Sequence, residues 1–224
     1  MIGRWMNATR TVRLALAALL LAAPVGLTAC AALNPTAPSL YTLTPHALVD
    51  PALPRADWQL LVETPVANAA IDTPRIAVAR SSTSIDYFAG VSWADRAPNM
   101  IQGLLVQSFE DSGRIVSVGR DTVGLRSDFV LKTDLRDFQA EYATPEAPFP
   151  ERVHIRLAAK LVGTPRRTIE AGETFEAFVP VRGRDFTAVV DAFNEAMGAV
   201  AAELVRWTLL NGTAVHRAGG GRPR

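Results

Sequence analysis

The chain has one thiol, Cys30, preceded by Leu27-Thr28-Ala29. A lone cysteine is usually a small buried apolar group, unless its surroundings single it out for covalent chemistry. A single Cys also excludes an intramolecular disulfide framework and any multi-cysteine zinc site. The three histidines, His46, His154 and His216, sit in a loop, on a polar strand face and near the C-terminal tail, none sharing a helical face with a carboxylate. Metal binding is therefore not expected. There is no His-Glu-x-x-His, Gly-x-Ser-x-Gly or glycine-rich phosphate loop in the chain, so neither a cofactor nor an enzyme is expected. Asp134, Asp137 and Glu141 lie close together, but an unbroken strand puts 134 and 137 on opposite faces, which predicts solvated carboxylates rather than an acid/base pair. Tyr87, Phe88 and Trp93 form an aromatic cluster that either staples a helix entry to the core or presents a patch to a partner or lipid. Arg152, His154, Arg156 and Lys160 line one side of an alternating strand, a solvated face or a contact surface.

The context of Cys30 decides its chemistry. Met1 to Arg13 carries Arg4, Arg10 and Arg13 and no acid, and Leu14 to Ala29 runs uncharged to small residues just before the Cys. This is the pattern of a secretory signal peptide. Sixteen helical residues reach only about 24 Å, short of a hydrocarbon core of about 30 Å, and Pro24 and Gly26 interrupt the run, so a permanent span is not expected. Leu27-Thr28-Ala29-Cys30 resembles the bacterial lipobox, in which the thiol takes a diacylglycerol, cleavage follows just before it, and the new amine can be acylated. Two or three chains, at about 0.8 kcal/mol per buried CH₂, anchor durably where one does not. Ala31, in place of an Asp, favours sorting to the outer membrane, facing the periplasm.

Cleavage also corrects the charge. It removes three of the 23 basic residues, leaving 20 against 22 acidic ones, about −2. Such a balance argues against nucleic-acid binding, which needs a basic face for phosphates. An apolar fraction of 49% with 20% charged residues is that of a globular chain.

The elements that must position these residues read as one domain. The expected division is a signal peptide over 1–29, a lipidated tether over 30–38, a domain over 39–212 and a disordered tail over 213–224. Short strands are expected at Tyr41 to Thr44, Trp58 to Glu63, Arg75 to Arg80 and Arg114 to Val118. Cleaner alternation marks Phe129, Leu131 and Leu135, and then Val153, Ile155, Leu157, Ala159 and Leu161. Thr168 to Val179 reads as a hairpin turning at Ala171-Gly172. Ser92 and Asp95 fit a capping box before a helix carrying Ala97, Met100, Ile101, Leu104, Leu105 and Phe109, ended by Gly113. A second helix is expected from Asp185 to about Leu210, with Gly212 beyond it. The order predicts an α/β (α+β-like) sandwich, a mixed sheet with both main helices on one face.

Four segments together resemble the ABC-type transport auxiliary lipoprotein family, the group that includes the paraquat-inducible lipoprotein. They are Tyr41-Thr-Leu-Thr-Pro45 soon after the Cys, Ile71-Asp-Thr-Pro-Arg-Ile-Ala-Val78, Tyr87-Phe-Ala-Gly-Val-Ser-Trp-Ala-Asp95 before a helix, and Asp128-Phe-Val-Leu-Lys-Thr-Asp-Leu-Arg-Asp-Phe138. Each is loose alone, and their order and spacing carry the likeness over about residues 39–210. The chain has Ser39-Leu40 where the family often has a basic residue before the Tyr-x-Leu segment.

The resemblance implies a domain similar to the N-terminal domain of TolB. It also implies a membrane-anchored periplasmic accessory subunit of a mammalian-cell-entry type ABC system moving lipid between the inner and outer membranes. Its implied partners are the membrane, an ABC permease and ATPase, a mammalian-cell-entry domain protein, phospholipid and a second copy of the chain. Tyr41, Tyr87, Phe88 and Trp93 are the candidate partner or lipid contacts. Two other readings stand beside it: an outer-membrane assembly scaffold without a transport role, and a periplasmic enzyme, which needs a polar cluster converging in a pocket.

Overall fold

A computed structural model describes residues 37–45, 50–120, 126–164 and 166–220. Cys30, Leu27, Thr28 and Ala29, the tether up to residue 36, and His46 lie outside the described residues. The chain divides after Ala37, and the architecture below belongs to the part beginning at Pro38.

The longest strands organise the sheet. β7 (Phe129–Glu141) pairs antiparallel with β8 (Arg152–Gly163) along its whole length. Its opposite edge is shared end to end by three parallel strands: β2 (Ala56–Val62) beside 129–131, β3 (Val66–Ala67) beside 134–135, and β4 (Arg75–Ser81) beside 139–141. β6 (Ile115–Arg120) lies outside β2, β5 (Ser84–Trp93) outside β4, β1 (Ser39–Tyr41) outside β5, and β9 (Thr168–Pro180) outside β8. The result is a mixed, open sheet of nine strands, an α+β fold.

Both helices cover one face, as expected. α1 (Ala97–Asp111) packs on β6 and β2, α2 (Phe186–Gly220) packs on β8, β9 and β2, and the helices touch each other. The expected stripes face the sheet: Ile101, Leu105 and Phe109 of α1 and Val189, Phe193, Met197 and Leu204 of α2 are all fully buried. They meet Leu131, Leu135, Val153, Ile155, Leu157 and Leu161, which are at most 1% exposed. Burying each such side chain contributes about 1.5–3 kcal/mol.

Several expectations need correction. Ser92 does not cap α1: its backbone is in β5, paired with Leu40 and Arg75, and Trp93 N–H donates to Pro74 O at 2.7 Å. The helix begins at Ala97, so Ser92 stands four residues too far upstream for its hydroxyl to reach the first free N–H groups. The cap is Arg96, which makes no side-chain cap bond, and Pro98 in the first turn supplies a preset φ instead. Gly113 does end α1, with φ +61 and its N–H on Glu110 O at 3.0 Å.

β8 and β9 pair as far as Gly163 with Thr168, and Arg167 just before β9 has φ 54, so the hairpin does not turn at Ala171-Gly172. Gly172 sits within β9 opposite Lys160. Thr164 N–H is held by Asp128 O at 2.9 Å, which fixes the turn to the start of β7.

Gly212 does not stop α2, and the boundary between domain and tail drawn at 212 falls inside that helix. A Cβ on Gly212 would stand 2.5 Å from Trp58 Cζ2, so the missing side chain admits the indole against the helix. Trp58 is 1% exposed and meets Phe129 edge-on at 5.1 Å. Burial of this ring offsets the cost of about 1 kcal/mol for glycine in a helix interior.

Candidate functional site

β7 is not an unbroken strand. Its pairing with β8 slips between Leu135 and Asp137, a bulge that absorbs Arg136. Before the bulge, Phe129, Leu131 and Leu135 face the helices; after it, Phe138 and Ala140 do. Asp134 and Asp137 therefore share the open face, and the sequence expectation that they point oppositely is corrected by that one extra residue.

The bulge brings acids of β7 against bases of β8. Asp137 stands opposite Arg156, Gln139 opposite His154 and Glu141 opposite Arg152. Arg156 Nε lies 2.6 Å from Asp137 Oδ2, a close contact poorly aligned for a hydrogen bond, and Arg152 donates to Glu141 at 2.8 Å. His154 is held on both ring nitrogens, Nδ1 2.9 Å from Glu141 Oε1 and Nε2 2.7 Å from Glu176 Oε1 on β9. Phe178 stacks on the imidazole at 4.2 Å, and the Arg152 guanidinium lies 4.6 Å from the Phe178 ring centre. His154, on the face expected to be solvated, is only 8% exposed.

Glu141 is the hub. Burial pushes its carboxyl up, but donors from Arg152, Gln139 and His154 outweigh that and hold it below the ordinary carboxylate range.

Beside this network runs an open groove of about 530 Å³ between β4, β7 and the 142–145 connection. Ile71 and Ile85 give it apolar surface, and Arg80, Arg136 and Arg152 line it together with the carboxylates of Asp137 and Glu141. Arg80 lies 4.2 Å from the Tyr142 ring centre and donates to Pro145 O at 3.1 Å, forming one wall. Arg136 is met by Asp134 at 3.4 Å.

A general base needs a ring nitrogen free to reach a substrate proton, and both nitrogens of His154 are occupied by carboxylates. Among the described residues no group of three His, Cys, Asp or Glu could hold a metal ion.

The aromatic residues singled out from the sequence separate. Trp93 is 1% exposed, packed against Phe138 at 5.7 Å and Phe193 at 5.1 Å, so its ring belongs to the core and not to a contact patch. The β5 ladder turns it toward the helices. Tyr41 and Phe88 are half-buried and both meet Phe186 at the start of α2, at 4.8 and 5.1 Å. Tyr87, on the other side, donates to Ala70 O at 3.0 Å beneath Arg75. Three of the four thus fasten β1 and β5 to α2 and the core, and Tyr87 fastens β5 to the 68–72 loop. What sequence reasoning missed is the partnership of Glu141, Glu176 and Phe178 with His154. The opposed signs on adjacent alternating strands were its only signal.

Known proteins resemble this chain in sequence and in fold. A crystal structure of a protein from Xanthomonas campestris shares 36% identity, superposes with a TM-score of 0.74, and is matched over 80% of this chain and 99% of that one. A second solved structure, of an uncharacterised protein, shares the fold at 16% identity and a TM-score of 0.60, over 76% of this chain and 98% of that one. An uncharacterised protein of Bradyrhizobium diazoefficiens is 29% identical over 175 residues, which is 76% of this chain, and the chain spans 44% of that relative's length. The model of the ABC-type transport auxiliary lipoprotein component matches residues 41–205, from β1 through most of α2, and the chain belongs to that family.

Proposed function

We propose that this protein is a periplasm-facing accessory subunit of a mammalian-cell-entry type ABC system that moves lipid between the inner and outer membranes. The observation that carries this reading is the family match over residues 41–205, beginning shortly after the Leu27-Thr28-Ala29-Cys30 segment. In this reading Cys30 carries diacylglycerol and an N-acyl chain, palmitate among them, and pins the domain to the outer membrane. The tether that follows gives it reach, and the domain docks a permease, ATPase or mammalian-cell-entry partner without catalysing a reaction. Among the described residues no helix is long and apolar enough to cross a membrane, which fits anchoring by lipid. The ATPase partner would spend the nucleotide.

Replacing Cys30 by Ser tests the anchor. The variant is expected to leave the membrane fraction for the soluble periplasm and to lose lipid transport. Unchanged membrane retention would overturn the anchor. Crosslinked capture of the native protein tests the partners, and recovery of no transporter subunit would overturn the assignment to such a system.

A further inference from the structure

We infer that the outer edge of β9 is a docking site for an extended, basic segment of a partner protein, added to the sheet as one more strand. β9 is 13 residues long, roughly 44 Å at strand rise, and among the described residues no strand pairs with its outer side. The N–H of Thr174 is met at 3.4 Å only by the carboxylate of its own neighbour, Glu173. Alternate backbone groups of this edge are thus turned outward, ready for a ladder. The usual guards sit at its two ends, a bulge beside Glu170 and Pro180, and residues 171–179 between them contain no Pro and no Lys.

Charge selects the occupant. Glu170, Glu173 and Glu176 give this edge three acids and no base. A second copy laid antiparallel about Glu173 would oppose Glu173 to itself, and like charges placed opposite destabilise a pair. A strand bearing Lys or Arg meets the same positions favourably. Ile169, 61% exposed, and Phe178, 48% exposed, offer apolar landing points about 30 Å apart near the two ends.

The test is amide hydrogen exchange on the full chain with a blocked peptide of about twelve residues alternating lysine and valine, long enough for the edge. Binding is expected to slow exchange of the outward β9 amides, Thr174 among them. Glu173→Lys, at an exposed position away from His154, is expected to weaken the peptide's Kd about fivefold with the melting temperature retained. Three results would overturn the proposal: no protection of β9, equal binding by a proline-interrupted or a glutamate-valine peptide, or protection arising from self-association without peptide.

Discussion

The two faces of the β7–β8 hairpin are built from the same strands and held by different physics. On the helix side, Trp93, Phe138 and Phe193 pack with ring centres 5.0–5.7 Å apart among fully buried aliphatic residues. On the open side, Asp137 meets Arg156, Glu141 meets Arg152, and His154 lies between Glu141 and Glu176; the side chains of Arg152, Arg156 and Glu176 are 40–49% exposed and those of Asp137, Glu141 and His154 10–18% exposed. A buried large apolar side chain contributes about 1.5–3 kcal/mol, whereas a solvent-accessible ion pair contributes about 0–1 kcal/mol. Stability therefore resides on the helix side.

The sharpest way to break this contrast is Trp93→Ala. Removing a fully buried indole is expected to cost about 3–5 kcal/mol, read as a lowered denaturant midpoint with the slope unchanged. A loss below about 1 kcal/mol, the scale of a surface pair, would place Trp93 outside the load carried by that face.

Gly212→Ala comes next. Its new methyl meets the Trp58 ring, and overpacking of about 1–3 kcal/mol is expected to exceed the gain in helix propensity. Thermal unfolding reads the sign; a stabilised variant would mean that the indole moves aside freely.

Glu141→Gln probes the open face and has the smallest effect. Because the folded carboxyl titrates below its ordinary range, Glu141 adds stability above the unfolded carboxylate pKa, about 4.3. That contribution disappears as pH falls through the lowered folded value. The variant is expected to lose at most about 1 kcal/mol at pH 7, and its melting temperature should fall less than the parent's between pH 7 and pH 3. An unaltered acid sensitivity would remove Glu141 from its place as hub.

Periodicity made most of the fold legible. The apolar stripes of α1 and α2 and the alternation of β8 are local patterns, and burial on one face follows from them directly. The candidate site was half legible, since Arg152, His154 and Arg156 were read on one face while their acids were read as solvated. The bulge shows in the sequence only as a change of phase between Leu135 and Phe138, and without it the slip at Arg136 and the shared face of Asp134 and Asp137 were hidden. The same holds for Ser92, whose capping pattern was outweighed by ladder bonds on both sides.

By itself the amino-acid sequence determined the class of fold, the residues that face inward, the family and the expectation of a lipid-bearing Cys30, because each depends on residue type and short spacing. Only the tertiary structure decided that Gly212 is a seat for Trp58, that Trp93 is core, and that His154 lies between Glu141 and Glu176. Those outcomes depend on which distant segments meet, and the free energy that chooses among meetings is shared over the whole packed sheet.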